Sequence, residues 1–537
     1  MSSTLAPTAL SPNNPITPSS VPDTLAKLGL KCPEKDLEGY TSLLTGIWEI
    51  WNKVDGMDDY VPAVDEERYP RTGVEKIPGG EKGNEYNAWA WKCRIEDAKG
   101  GKGLLAGRTV CLKDNVAVKG VPCLLGTDIF EDWVPNTDAT LVTRILEQGG
   151  IINGKSVCEN LSLWGVSCSA ASGPMDNPHA KGFSAGGSSS GTAVLVARGL
   201  SDLGIGGDQG GSIRLPSALS GIVGLKPTTG LVPYTGIASL EPVIDHAGPM
   251  TRTVLDNALL LQAIAGADGI DDRQLAGCPF PADVPDYPAL AKGGIKGLRI
   301  GIMMEGFDTP MSDPRVSALV RKAAEEFRAL GAEVGEVSVE MHRIAPEIWA
   351  VGGRMSATTS LLGQNCGRRQ LCMNDLTAKM LPLTQEKFDK MFASGGNTLI
   401  NGVWGWENLP PTLMGKATNL IRKLRDAYYT ALDSYDLIVM PTVPFLAPKL
   451  LPDVKNASVV ELMVNSAGVS LNTSAFNITG LPALSLPVGF LPHPLDPSAK
   501  LPVGMQLVGK FYAEPTIYKA AYAWEQAFDW KSYADKA

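Results

Sequence analysis

Residues 182–230 read GFSAGGSSSGTAVLVARGLSDLGIGGDQGGSIRLPSALSGIVGLKPTTG, a run too dense in glycine to be ordinary helix or strand throughout. Glycine permits positive φ and leaves neighbouring N–H groups unobstructed. A glycine loop that opens into a helix therefore presents donors to an anion or to a developing oxyanion. Two such loops lie here, Gly186-Gly187-Ser188 ahead of the apolar TAVLVA and Gly210-Gly211-Ser212 ahead of SIRLPSAL.

Outward from this run the texture is one of strands alternating with helices. Upstream, LLAGRTVCL predicts a strand ending at Lys113-Asp114-Asn115; residues 138–148 predict a helix with Leu141, Val142, Ile145 and Leu146 inward, and Ile151-Ile152 opens the next strand. Downstream, residues 298–303 predict a strand, Asp313-Pro314 a capped helix, and DLIVM at 436–440 a short apolar strand. This alternation predicts an α/β protein with a large, mostly parallel mixed sheet covered by helices on both faces. The expected divisions are a flexible tail over 1–25, an N-terminal helical region over 26–100, a core over 101–340, an inserted helical subdomain over 341–430 and the rest of the core over 431–537.

Composition narrows the chemistry. The 537 residues are 44% hydrophobic with a net charge of −9 and no dense Lys/Arg run, which argues against nucleic acid or an anionic membrane as partner. Nine cysteines without a C-x-x-C pair read as thiols of a reducing compartment, so a cytoplasmic location is expected. The four histidines, His179, His246, His342 and His493, are not spaced as metal ligands, and no metal or cofactor is expected.

Three readings of the glycine-serine run compete. A nucleotide loop fails, since no G-x-x-x-x-G-K-[ST] occurs and Gln209 stands where G-x-G-x-x-G needs its third glycine. An esterase elbow would make Ser189 the nucleophile of Gly187-Ser188-Ser189-Ser190-Gly191, but the preceding DNPHAKGFSA does not read as a core strand. The third reading uses serines and a lysine: Ser212 at a helix start, the amides of Gln209, Gly210 and Gly211 around an oxyanion, Ser188 in the second loop, and Lys113 past a strand end. Ser189 and Ser190 are expected to cap the following helix, and Asp208 and Arg214 to brace the loop as an ion pair.

Lys113-Asp114-Asn115, the loop Gly186 to Gly191, and Gly207-Asp208-Gln209-Gly210-Gly211-Ser212-Ile213-Arg214 followed by Gly224-Leu225-Lys226-Pro227 resemble the amidase signature family. Asn477-Ile478-Thr479-Gly480-Leu481-Pro482 and Leu501-Pro502-Val503-Gly504-Met505-Gln506 continue the resemblance. It implies the amidase signature fold and amide hydrolysis by a Ser–cis-Ser–Lys triad: Ser212 as nucleophile, Ser188 as the bridging serine after a cis peptide, Lys113 as base, with Gln209, Gly210, Gly211 and Ser189 as oxyanion or substrate-binding residues. Gln209 and the segment Gly230 to Gly236 are similar to the branch of nitrile-pathway and small-amide amidases with an N-terminal helical domain. That implies a small-molecule amide, carbamate or ester as substrate and allows a homodimer. The rivals are a non-catalytic amide-binding protein and an ammonia-supplying amidotransferase subunit.

Overall fold

The computed structural model describes residues 10–364 and 367–535. The chain forms two compact units, Met1–Pro62 and Ala63–Ala537. The first carries helices α1 (Ser20–Ala26) and α2 (Leu37–Asp55). Its described N-terminal residues are not the loose tail expected over 1–25. Ser11 N–H and Asn14 Nδ2 both donate to Glu49 Oε1 on α2, at 2.9 and 2.7 Å. Residues 1–9 of that expected tail lie outside the described residues.

The second unit is built on a twelve-stranded sheet in the order β1-β2-β4-β3-β5-β7-β6-β11-β12-β10-β8-β9. The strands are β1 (Arg71–Glu75), β2 (Trp89–Ile95), β3 (Thr109–Lys113), β4 (Ile151–Ser156), β5 (Leu203–Asp208), β6 (Val223–Lys226), β7 (His246–Thr251), β8 (Arg299–Met303), β9 (Glu333–Val337), β10 (Leu437–Pro441), β11 (Ala483–His493) and β12 (Asp496–Val508). Every residue of β5, β6, β7 and β10 is buried. Because successive strand side chains point to opposite faces, the centre of the sheet is covered on both sides, as the α/β reading requires.

Two expectations need correction. The sheet is mixed, but not mostly parallel: β3 runs parallel to β4 and β5, and β8 to β9 and β10, whereas every other neighbouring pair is antiparallel. The reason is in the connections. Residues 227–245 join β6 to β7 without a helix, and β11 turns directly into β12 as a hairpin, so these strands reverse direction. The helical reading of 26–100 also fails beyond Asp55, because β1 and β2 occupy its second half.

Helix α3 (Thr140–Glu147) joins β3 to β4, and two more helices matter for the site. α4 (Ser190–Ala197) follows the first glycine loop, and α5 (Arg214–Ser220) follows the second. Residues 341–430, between β9 and β10, are largely helical and include Ala345–Val351, Ala393–Asn408 and most of Leu413–Ser434. Among the described residues no helix is long and apolar enough to cross a membrane.

Candidate active site

Lys113 is the last residue of β3, whose parallel neighbour β5 runs on into the second glycine loop. The side chain is fully buried, with Nζ 2.8 Å from Ser188 Oγ and 3.3 Å from the Gly207 carbonyl oxygen. A Cβ on Gly207 would lie 3.3 Å from Asn115 Nδ2, a tight contact, and 3.6 Å from Lys113 Nζ, an ordinary one. No ion pair is made by Lys113 among the described residues. Burial, only partly offset by the more distant Cys158, Asp208, Glu159 and Asp245, lowers its pKa to about 8.

The peptide bond between Gly187 and Ser188 is cis. The two serine loops lie against each other, Ser189 N–H donating to the Ser212 carbonyl at 3.3 Å. Ser188 and Ser189 are wholly buried, whereas Ser212 keeps 9% of its surface open. Ser212 is thus the serine of the three with access to a ligand.

The loop between β5 and α5 is braced from within. Arg214 Nε and Nη2 grip Asp208 in a two-pronged pair at 3.0 and 2.9 Å, and Asp208 in turn accepts from Gly211 N–H at 2.7 Å and Ile213 N–H at 3.1 Å. Burial would raise the Asp208 pKa, but the Arg214 guanidinium and its hydrogen bonds hold it well below the ordinary carboxylate value. The expected bracing role of this pair is what the geometry supplies. It also corrects one expectation, since the Gly211 amide is committed to Asp208 and does not face an oxyanion.

Ser189 also differs from expectation. It sits at the N-cap position of α4 without a side-chain capping bond, and its Oγ lies 3.2 Å from both the carbonyl oxygen and the N–H nitrogen of Gly207. Ser190 does not cap either; its Oγ donates to buried Glu159 Oε1 at 2.7 Å. The histidines are engaged elsewhere, His179 with the Ser220 carbonyl, His246 with Thr229 and the Ile244 carbonyl, and His342 with Tyr428 and Asn472. His493 packs edge-on against Phe183. An elbow nucleophile at Ser189 thus has neither exposure nor a histidine.

Gln209 leads from the loop to a cavity of about 180 Å³, lined by apolar Leu125, Leu161, Leu240 and Met380 and by polar Tyr234 and Arg273. Its Nε2 donates to Tyr234 Oη at 2.7 Å and to Asp245 Oδ1 at 3.2 Å, while its buried Oε1 has no partner among the described residues. Arg273 closes the network, pairing with Asp245 at 3.1 Å and Asp271 at 2.9 Å over the Tyr234 ring. Ser188 and Ser212 do not line this cavity.

Sequence reasoning missed the residues that reach the loop from far along the chain. Trp349 Nε1 donates to the Gln209 carbonyl at 2.7 Å, and Thr473 Oγ1 donates to the Gly210 carbonyl at 2.6 Å. Asn477, quoted only as part of a motif, donates through Nδ2 to the Asp208 carbonyl at 2.8 Å. No local signal marks Trp349 or Thr473.

Known proteins resemble this chain in sequence and in fold. The family model Amidase matches residues 84–518, and the chain belongs to the amidase signature family of enzymes. It is 38% identical to an enantioselective amidase of Rhodococcus rhodochrous, with 83% of this chain and 84% of that one aligned. It is also 34% identical to a glutamyl-tRNA(Gln) amidotransferase subunit of Moorella thermoacetica, over 80% of this chain and 84% of the relative. Among solved structures, a bacterial aryl acylamidase superposes with a TM-score of 0.68 at 25% identity, covering 81% of this chain and 85% of the other.

Proposed function

We propose that this enzyme hydrolyses small carboxamides to an acid and ammonia or an amine through an acyl-enzyme on Ser212, with Ser188 and Lys113 carrying the proton. The observation that carries the reading is the buried Lys113, 2.8 Å from Ser188 Oγ with its pKa at about 8. A lysine at its ordinary value of roughly 10.4 is protonated at neutral pH and accepts nothing. One brought to about 8 presents a usable neutral fraction.

Ser212 Oγ attacks the carbonyl carbon while its proton moves to Ser188 Oγ and the Ser188 proton moves to neutral Lys113. The amides of Gly210 and Ser212 receive the oxyanion. On collapse, Lys113 returns its proton through Ser188 to the departing nitrogen, the C–N bond breaks, and the acyl group stays on Ser212. Water then retraces the path, giving up a proton to the relay as it attacks, and releases the acid.

Aryl and short aliphatic amides are the favoured substrates, with carbamates and esters as secondary ones. The amidase and acylamidase relatives support this. The likeness to amidotransferase subunits supports a second reading, in which released ammonia passes to a partner. A panel of amides, carbamates and esters assayed on the isolated chain for ammonia and amine decides between them. Free hydrolysis that disappears in both Ser212→Ala and Lys113→Ala is expected; near-wild-type hydrolysis in either variant overturns the mechanism, and no hydrolysis by the wild-type chain favours the amidotransferase reading.

A further inference from the structure

Three consecutive peptide units lead from Gln209 to Ser212, and each carbonyl is anchored by a different group. The Gln209 carbonyl accepts from Trp349 Nε1 at 2.7 Å, the Gly210 carbonyl from Thr473 Oγ1 at 2.6 Å, and the Gly211 carbonyl from the Leu215 N–H at 2.7 Å. In a trans peptide the C=O and the following N–H are coplanar and point in opposite directions, so anchoring the carbonyl fixes the direction of the donor. The middle donor, Gly211 N–H, is spent on Asp208 Oδ1. The outer two, Gly210 N–H and Ser212 N–H, have no partner among the described residues. Alternate amides of the loop are therefore left open, and each lies opposite an anchored carbonyl.

The anchors differ in origin. Leu215 belongs to α5, which grows directly out of the loop, so its bond is local. Trp349 is 140 residues away, on the helix Ala345–Val351 of the segment between β9 and β10. Its indole is seated closely: a Cβ on Gly210 would come within 3.1 Å of Trp349 Cζ2, and one on Gly353, in the wide helical turn Gly352–Ser356, within 3.3 Å of Cε2. Both glycines let the ring lie flush against the backbone it holds. Half-buried, the indole N–H gives the Gln209 carbonyl the partner it would otherwise lack.

We propose that Trp349 is a positioning residue for the reaction: its indole N–H holds the Gln209 carbonyl so that the Gly210 amide faces the oxyanion formed on Ser212. This rests on the reading of Ser212 as nucleophile. The role belongs to the transition state, because a donor aimed at the oxyanion gains most when the charge develops, and little in the ground-state complex. A helix outside the glycine-serine motif thereby sets the geometry of the motif's own backbone.

The test uses the full-length chain and an alkyl fluorophosphonate, which phosphonylates an activated serine with loss of fluoride and places its P=O oxygen where an oxyanion would sit. Trp349→Phe keeps the ring and removes the N–H. The expected result is a fall of about 5–30-fold in the limiting labelling rate, short of the roughly 10²–10³-fold seen when an oxyanion donor is deleted outright. The reversible inhibitor constant should stay within about twofold, and the pH midpoint of labelling should stay where wild type has it, since Lys113 is untouched. Labelling at the wild-type rate overturns the proposal, as does a loss that lies wholly in reversible binding or in a shifted pH midpoint. Should Trp349→Phe not fold, Gly353→Ala, whose methyl presses on the same indole from outside the oxyanion loop, replaces it: slower limiting labelling supports the clamp and an unchanged rate overturns it. Labelling of Ser212→Ala, or none of the wild type, removes the nucleophile reading and this inference together, whereas a labelled wild type beside an unaffected Trp349→Phe removes the inference alone.

Discussion

Two lysines stand almost side by side at the ends of neighbouring parallel strands, and they end up in opposite states. Lys113 closes β3, and Lys155 lies one residue from the end of β4, registered against Leu112. Both are fully buried. Lys113 meets a serine hydroxyl and a backbone carbonyl, and burial brings it to about 8. Lys155 Nζ lies 3.2 Å from Asp114 Oδ1; burial pulls its pKa down, but Cys123 and Asp114 beside it outweigh that and hold it above the ordinary value. A third buried lysine, Lys226, is also driven well below its ordinary pKa, yet its Nζ donates to the Pro227 carbonyl, with no hydroxyl partner among the described residues to relay a proton. Burial discharges a lysine, a buried carboxylate keeps it charged, and only the discharged one beside a serine fits the base role proposed for Lys113.

The largest effect comes from deleting each lysine. Lys113→Ala should lower benzamide hydrolysis by about 10³-fold or more, because the relay loses its acceptor. Lys155→Ala should act on stability instead, leaving Asp114 buried without its cation at a cost of about 3–5 kcal/mol. Urea unfolding together with kcat per active site separates the two. A kcat loss in folded Lys155→Ala as deep as that of Lys113→Ala would erase the distinction, whereas Lys155→Met combined with Asp114→Asn should recover much of the stability.

The second test converts one lysine's surroundings into the other's. With Lys113 at about 8 and the neutral form active, kcat/KM should rise with pH to a plateau with its midpoint near 8. Activity is lost as pH falls below that midpoint, because the base is then protonated. Cys158, whose thiolate would favour a charged Lys113, is itself pushed up to about 12 by burial and is an uncharged thiol at working pH. Cys158→Asp places a carboxylate there, and the profile should move to higher pH by about one unit or more. A midpoint near the histidine value of about 6.5 would remove Lys113 from the base role.

Local sequence patterns marked the candidate site more clearly than they marked the directions of the strands. Lys113, Ser188 and Ser212 are each flanked by glycines or by an apolar strand, and these local patterns survive folding unchanged. Strand direction was not legible in the same way, because it depends on what the connections do. A helix between strands implies a parallel crossover, but 227–245 and the β11–β12 turn contain none. The strand β2 did carry a signal, since Trp89, Trp91, Cys93 and Ile95 alternate with the period of two, against the helical period of α2. Trp349 and Thr473 carried none. They meet the loop across 140 and 263 residues, and their contacts are set by tertiary packing alone. The commitment of the Gly211 amide to Asp208 likewise follows from side-chain geometry that a Gly-Gly dipeptide does not reveal.

A smaller effect should appear in stability. Because burial lowers the Lys113 pKa from 10.5 to about 8, the folded chain binds fewer protons than the unfolded chain between those values. The penalty is therefore fully present below pH 8 and disappears as pH rises past 10.5. Lys113→Met should stabilise the inactive protein by about 3 kcal/mol at pH 7, with the gain shrinking toward pH 10. Denaturant midpoints across that range measure it. Lys155→Met should show the opposite sign at pH 7, so equal signs would break the comparison.

The smallest effect belongs to Ser189. Its hydroxyl bridges the two polar groups of Gly207, the residue whose carbonyl also faces Lys113 Nζ. Ser189→Ala removes that bridge without touching Ser188, Ser212 or the lysine. A buried hydrogen bond of this kind contributes on the order of 1 kcal/mol. Stability should fall by about that much, and kcat/KM by less than about tenfold. The residual change should appear as a small shift in the pH midpoint, because a looser Gly207 carbonyl alters a backbone acceptor that helps hold Lys113 Nζ. A complete loss of activity in folded Ser189→Ala would make Ser189 the nucleophile and leave Lys113 as a buried lysine of no more consequence than Lys226.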